Sequence, residues 1–183
     1  MKKNLKILSV ILATVLCFAF STTAFAATVE APTSNPEEVG FSQEELKDSL
    51  ETGKPIQKVI VDGESTYTFE IAPSNIITPC DGYFNYNTWY DLSVTVNYGG
   101  KDCGVAIQTV YIGYVSGYYF GEMKPLRYSV FNDWAGESVT SSGGFGSQYV
   151  NVRAYFKKGS VITGAQYEWF INSSNGYVTA TRK

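Results

Sequence analysis

From Ile56 onward, apolar and polar residues alternate with a period of two. Tyr67, Phe69 and Ile71 share one face of a segment whose other face carries Thr66, Thr68 and Glu70. Tyr90, Leu92, Val94, Val96 and Tyr98 alternate in the same way with Asp91, Ser93, Thr95 and Asn97, and Val150, Val152, Ala154 and Phe156 form a third stripe. Successive side chains of an extended chain point to opposite faces, so each stripe predicts a strand buried on one side. Turn signals separate the stripes. Asp62-Gly63 lies between Ile56–Val61 and Ser65–Ala72, Gly99-Gly100 precedes Cys103–Ile112, Lys157-Lys158-Gly159-Ser160 precedes a strand around 161–171, and Asn175-Gly176 precedes 177–181. Such spacing implies about eight to ten short strands. One polar and one apolar face, with hairpin connections, predicts an all-β antiparallel β-sandwich, with a small barrel as the alternative.

One segment breaks the two-residue period. Ser42 stands where a helix N-cap would, Glu45 follows three residues later, and Phe41 and Leu46 flank that start. This is the sequence form of a capping box with a hydrophobic staple, and it predicts a short helix near 42–51 that stops before Gly53 and Pro55. Upstream, residues 27–40 (ATVEAPTSNPEEVG) carry two prolines, acids and small residues, the composition of a flexible lead-in.

The start of the chain follows a third pattern. Lys2, Lys3 and Lys6 precede an apolar run from Ile7 to Phe20, and Ala24-Phe25-Ala26 closes it. A basic start, a short apolar stretch and small residues at an A-x-A site predict a signal peptide over residues 1–26. The run falls short of the ~20 apolar residues that a spanning helix needs, so no stable membrane insertion is expected after cleavage. The expected product is secreted, with cell-wall association as a further expectation, and one β-domain covers 41–183.

Export changes the reading of charge and cysteine. Of 14 basic residues three lie in the leader, so 11 remain against 17 acidic residues, a net of −6 in place of −3. An acidic product without a basic cluster argues against nucleic acid as a partner. Cys80 and Cys103, the two cysteines beyond the leader, read as a disulfide in an oxidising compartment, closing a loop of about 24 residues worth roughly 3 kcal/mol. The chain has no histidine. This removes Ser-His-Asp and Cys-His mechanisms and the commonest zinc sites, so no catalytic residues, metal or cofactor are assigned.

Aromatic residues supply the candidate chemistry. The run Tyr83-Phe84-Asn85-Tyr86-Asn87-Thr88-Trp89-Tyr90 sets rings beside amides and Asp91. A flat ring stacks on the apolar face of a pyranose while amides and carboxylates bond its hydroxyls, so Tyr86, Asn87, Trp89 and Asp91 are candidate binding residues. Alternating tyrosines that merely fill a sheet explain the same composition. Asp133 and Trp134 form a second candidate pair, in Phe131-Asn132-Asp133-Trp134-Ala135-Gly136-Glu137. The glycine-rich stretch 138–146 lacks the lysine of a phosphate cradle and reads as a flexible loop between strands.

The plan resembles small exported Gram-positive domains of uncharacterised function. The likeness lies in the leader, the polar lead-in, the paired strands near Thr66–Ile71 and the closing hairpin Gly176-Tyr177-Val178-Thr179-Ala180. It implies export and an all-β fold and assigns no site residues. The resulting expectation is a secreted, non-enzymatic binding or structural domain that recognises extracellular glycan or a surface protein. Two alternatives come from other classes: a His-free polysaccharide hydrolase using a carboxylate pair drawn from Asp91, Asp133 and Glu137, and a secreted antimicrobial effector.

Overall fold

A computed structural model describes residues 38–74 and 88–183. The expected leader, most of the lead-in, and Cys80, Tyr86 and Asn87 lie outside the described residues. The described chain folds as β1 (Glu38–Phe41), α1 (Gln43–Thr52), β2 (Ile56–Asp62), β3 (Ser65–Pro73), β4 (Thr88–Tyr98), β5 (Lys101–Tyr114), β6 (Tyr118–Met123), β7 (Arg127–Val130), β8 (Ala135–Gly143), β9 (Tyr149–Lys158), β10 (Val161–Ile171) and β11 (Val178–Arg182).

The strands form two antiparallel sheets packed as a sandwich rather than a closed barrel. One has the order β1-β11-β10-β9-β8; the other runs β2-β3-β4-β5-β6, with β7 also paired to β5. The chain thus builds the six-stranded sheet as a meander from β2 to β6 and adds β7 alongside β5, then forms the five-stranded sheet from β8 to β11, and β11 closes beside β1. The predicted stripes face each other between the sheets. Tyr67, Phe69, Ile71, Leu92, Val94 and Val96 of one sheet meet Val150, Val152, Ala154, Phe156, Tyr167 and Trp169 of the other. At the centre Phe69 packs edge-on to Tyr167 (5.2 Å between centroids) and to Trp169 (5.8 Å), and Phe41 lies against Trp169 at 5.9 Å. Offset and edge contacts are the arrangements that the ring quadrupoles favour.

The helix forms as its sequence predicts. Ser42 accepts the Glu45 N–H at 3.2 Å, and the Glu45 carboxylate accepts the Ser42 N–H at 2.7 Å. Phe41 and Leu46 are both buried, and Gly53 ends the helix in the left-handed region. The Gly99-Gly100 turn also matches: both residues have positive φ (57° and 75°), as the favoured two-residue hairpin turn requires.

Three expectations need correction. The hairpin after β2 turns on Gly63-Glu64 rather than Asp62-Gly63, because Asp62 still pairs with Ser65. Residues 38–40 belong to β1 rather than to a flexible lead-in, since they pair with Thr179 to Thr181 of β11. Most of the stretch 138–146 is strand: Ser138 to Gly143 pair with β9 as part of β8. Of the expected Cys80–Cys103 bridge only Cys103 lies among the described residues. Cys103 is a buried free thiol, turned inward where the β4–β5 register slips so that Val96 faces Gly104 while Asn97 faces Asp102. A bulge of this kind turns an extra side chain to the same face as its neighbour, and burial pushes the thiol up to about 11.

Candidate functional site

Strand β4 sends Tyr90, Leu92, Val94 and Val96 into the core, so Trp89 and Asp91 lie on the outer face of the six-stranded sheet. There the register sets Trp89 opposite Tyr111 and Asp91 opposite Thr109 of β5. Cross-strand neighbours on one face touch directly: the Trp89 and Tyr111 rings meet edge-on at 5.7 Å. The Thr109 hydroxyl donates to Asp91 Oδ1 at 2.5 Å, and Arg127 of β7 donates to Asp91 Oδ2 at 3.0 Å and to Thr109 Oγ1 at 3.2 Å.

A bulge shapes the neighbouring strand. Val110 pairs with Met123 and Ile112 with Phe120, leaving Gly121 and Glu122 opposite the single residue Tyr111. The Tyr111 ring lies over Gly121, where an added Cβ would stand 2.8 Å from Tyr111 Cδ1. Tyr119 in turn covers Gly113, where a Cβ would stand 2.6 Å from Tyr119 Cζ. These two glycines lack the side chains that would lift the rings from the sheet, so Tyr111 and Tyr119 lie close against it.

The loop between β8 and β9 completes the site from the other sheet. The Phe145 N–H donates to Gly121 O at 2.6 Å, the Gly146 N–H to Phe120 O at 2.8 Å and the Phe120 N–H to Ser147 O at 2.9 Å. An open groove of about 520 Å³ results, lined by Trp89, Tyr111, Tyr119, Gly121, Glu122, Phe145 and Gly146. The Lys124 ammonium lies 4.4 Å from the centroid of the Trp89 ring and 2.7 Å from Glu122 Oε1. Its backbone is held where β6 gives way to β7. The amide of buried Gln108 donates to Lys124 O at 2.8 Å and to Thr109 O at 2.9 Å.

The sequence-derived candidates separate here. Trp89 lines the groove but is only 6 % exposed, so it acts as a wall more than as an open platform. Asp91 is held by Thr109 and Arg127. Trp134 is 8 % exposed and packs in the core against Tyr98 at 6.1 Å. Tyr98 ends the strand that Trp89 nearly begins, so the two regions stand roughly 30 Å apart at the ordinary rise of a strand. Asp133 is an exposed turn residue 3.8 Å from Lys158, and Glu137 lies 3.8 Å from Lys157. Asp91, Asp133 and Glu137 thus each face a different cation. Among the described residues no group of three or more His, Cys, Asp or Glu side chains could hold a metal ion, and no helix is long and apolar enough to cross a membrane.

Sequence reasoning passed over Glu122 and Phe145. Glu122 is set by the β6 bulge, Tyr119 by its pairing with Gly113, and Phe145 by the hydrogen bonds that tie its loop to β6. The only local signal was the lone aromatic in Gly143-Gly144-Phe145-Gly146. Comparisons of the chain with protein-family models, with curated proteins and with solved structures return no match.

Proposed function

We propose that the chain is a secreted, non-enzymatic binding domain whose outer-face groove recognises extracellular glycan. The observation that carries this reading is the groove itself, which Trp89, Tyr111, Tyr119 and Phe145 line together with Glu122, whose carboxylate is paired with Lys124. Ring faces suit the C–H faces of a pyranose, and the charged pair offers an acceptor and a donor to its hydroxyls. The leader pattern supports partners outside the cytoplasm, and the acidic balance of the chain argues against nucleic acid. Binding is favoured over hydrolysis because Asp91, Asp133 and Glu137 are engaged with separate cations, whereas glycosidases set two carboxylates across one bond.

A glycan array combined with cell-wall pull-down tests this function. The wild-type protein is expected to retain polysaccharide, and Tyr119→Ala and Trp89→Ala to lose it while keeping the far-UV spectrum of the fold. Retention unchanged in both variants would exclude the groove. Capture of a surface protein without any polysaccharide would replace glycan by protein as the partner.

A further inference from the structure

Four consecutive residues, Gly143, Gly144, Phe145 and Gly146, have positive φ, at 106°, 69°, 54° and 91°. Three are glycine, the residue for which this region carries no steric cost. Phe145 is the exception, a bulky side chain in a conformation that L-residues disfavour. Nothing in the fold of the loop calls for it. The hydrogen bonds that hold the segment to β6 come from the main chain, and glycine at 145 would make them equally. Burial does not offset the strain either, because the side chain is 78 % exposed. Residues held in disfavoured backbone conformations cluster at active sites and ligand clamps.

The charges at this end of the sheet indicate what the ring meets. Lys124 is paired with Glu122 at 2.7 Å and Arg127 with Asp91 at 3.0 Å. A charged polymer would have to compete with a pair already made, whereas an uncharged polyhydroxylated chain leaves both pairs intact. We infer that Phe145 is the groove's main stacking residue for the apolar face of an uncharged glycan chain, kept in its strained conformation for binding and not for folding. This rests on the glycan-binding reading above and adds the residue and the ligand class.

The decisive variant is Phe145→Gly, with Phe145→Tyr and Tyr119→Ala beside it. Each is assayed against uncharged polysaccharides (cellulose, xylan, mannan, starch), cationic chitosan and anionic polygalacturonate. Phe145→Gly is expected to keep or raise the melting temperature and to weaken retention of an uncharged polysaccharide by roughly tenfold, the loss of about one stacking contact. Phe145→Tyr should retain wild-type binding. Raising salt from about 50 to about 500 mM should change the affinity by less than about twofold, because no ion pair forms on binding. A fall in both melting temperature and binding in Phe145→Gly would make Phe145 a structural residue. Wild-type binding by Phe145→Gly, with loss in Tyr119→Ala, would overturn the role of Phe145 and leave the groove standing. Binding confined to a charged polymer, or weakened by salt, would overturn the ligand class. Unchanged binding in both Phe145→Gly and Tyr119→Ala, or no polysaccharide bound at all, would overturn the groove reading together with this one.

Discussion

Glu45 connects the start of the helix to the sheet beside it. One carboxylate oxygen accepts the Ser42 N–H and the other accepts Lys58 Nζ of β2, each at 2.7 Å. Burial raises its pKa, but the hydrogen bonds from Lys58 and Ser42 outweigh this and hold the carboxyl below its ordinary value. A carboxyl whose folded pKa is depressed contributes stability above its unfolded pKa and loses it as the pH falls through the folded one. Urea unfolding should therefore find Glu45→Gln less stable than wild type at pH 7, with the difference closing below pH ~4. Ser42→Ala should cost about 1 kcal/mol, and a gap for Glu45→Gln that persists into acid would refute the ionic part of the cap. Local residues made this motif legible, because a capping box needs only positions three apart. Phe145 was not legible: its left-handed conformation, disfavoured by about 1–2 kcal/mol, shows only once the loop is hydrogen-bonded to β6.

Among the elements, stripes that face the core were readable and edges were not. β3, β4, β9 and β10 alternate apolar and polar residues because each has one face in the sandwich. β8 is an edge strand rich in Ser, Thr and Gly and carries no two-residue apolar stripe, while in β7 the alternation of Tyr128 and Val130 with Arg127 and Ser129 spans only four residues, all exposed, too short to stand out. Pro125 marks the break between β6 and β7 in sequence, but that both strands pair with β5 is not readable there. Gln108 seals that break from inside by holding the Lys124 carbonyl. Gln108→Leu would strip that buried carbonyl of its side-chain donor and should destabilise the domain by about 1–3 kcal/mol. It should also shift tryptophan fluorescence, because Lys124 sits on the Trp89 ring. Unaltered stability and fluorescence would show that Gln108 does not position the groove wall.

At the scale of the whole molecule, the first and last of the described strands are neighbours. Glu38 pairs with Thr181 and Phe41 with Val178. Closing that pair brings together residues roughly 140 positions apart, and folds dominated by such pairings form in milliseconds to seconds. Stopped-flow refolding should thus show a main phase in that range, and completion in microseconds would be inconsistent with β1–β11 pairing as part of the cooperative fold. The same long-range assembly creates the groove: Trp89 and Tyr111 come from the meander of the six-stranded sheet, and Phe145 from the turn leaving β8.

The sequence by itself determined the fold class, the strand stripes that meet in the core and the helix cap, because each rests on a period or spacing within a few residues. It also pointed to Trp89. Only the tertiary structure decided that Trp89 is a covered wall, that Trp134 belongs to the core at the far end of β4, and that Tyr119, Glu122 and Phe145 share its groove. The physical reason is that a binding surface is made by register, bulges and contacts between sheets, and these relate residues far apart in the chain.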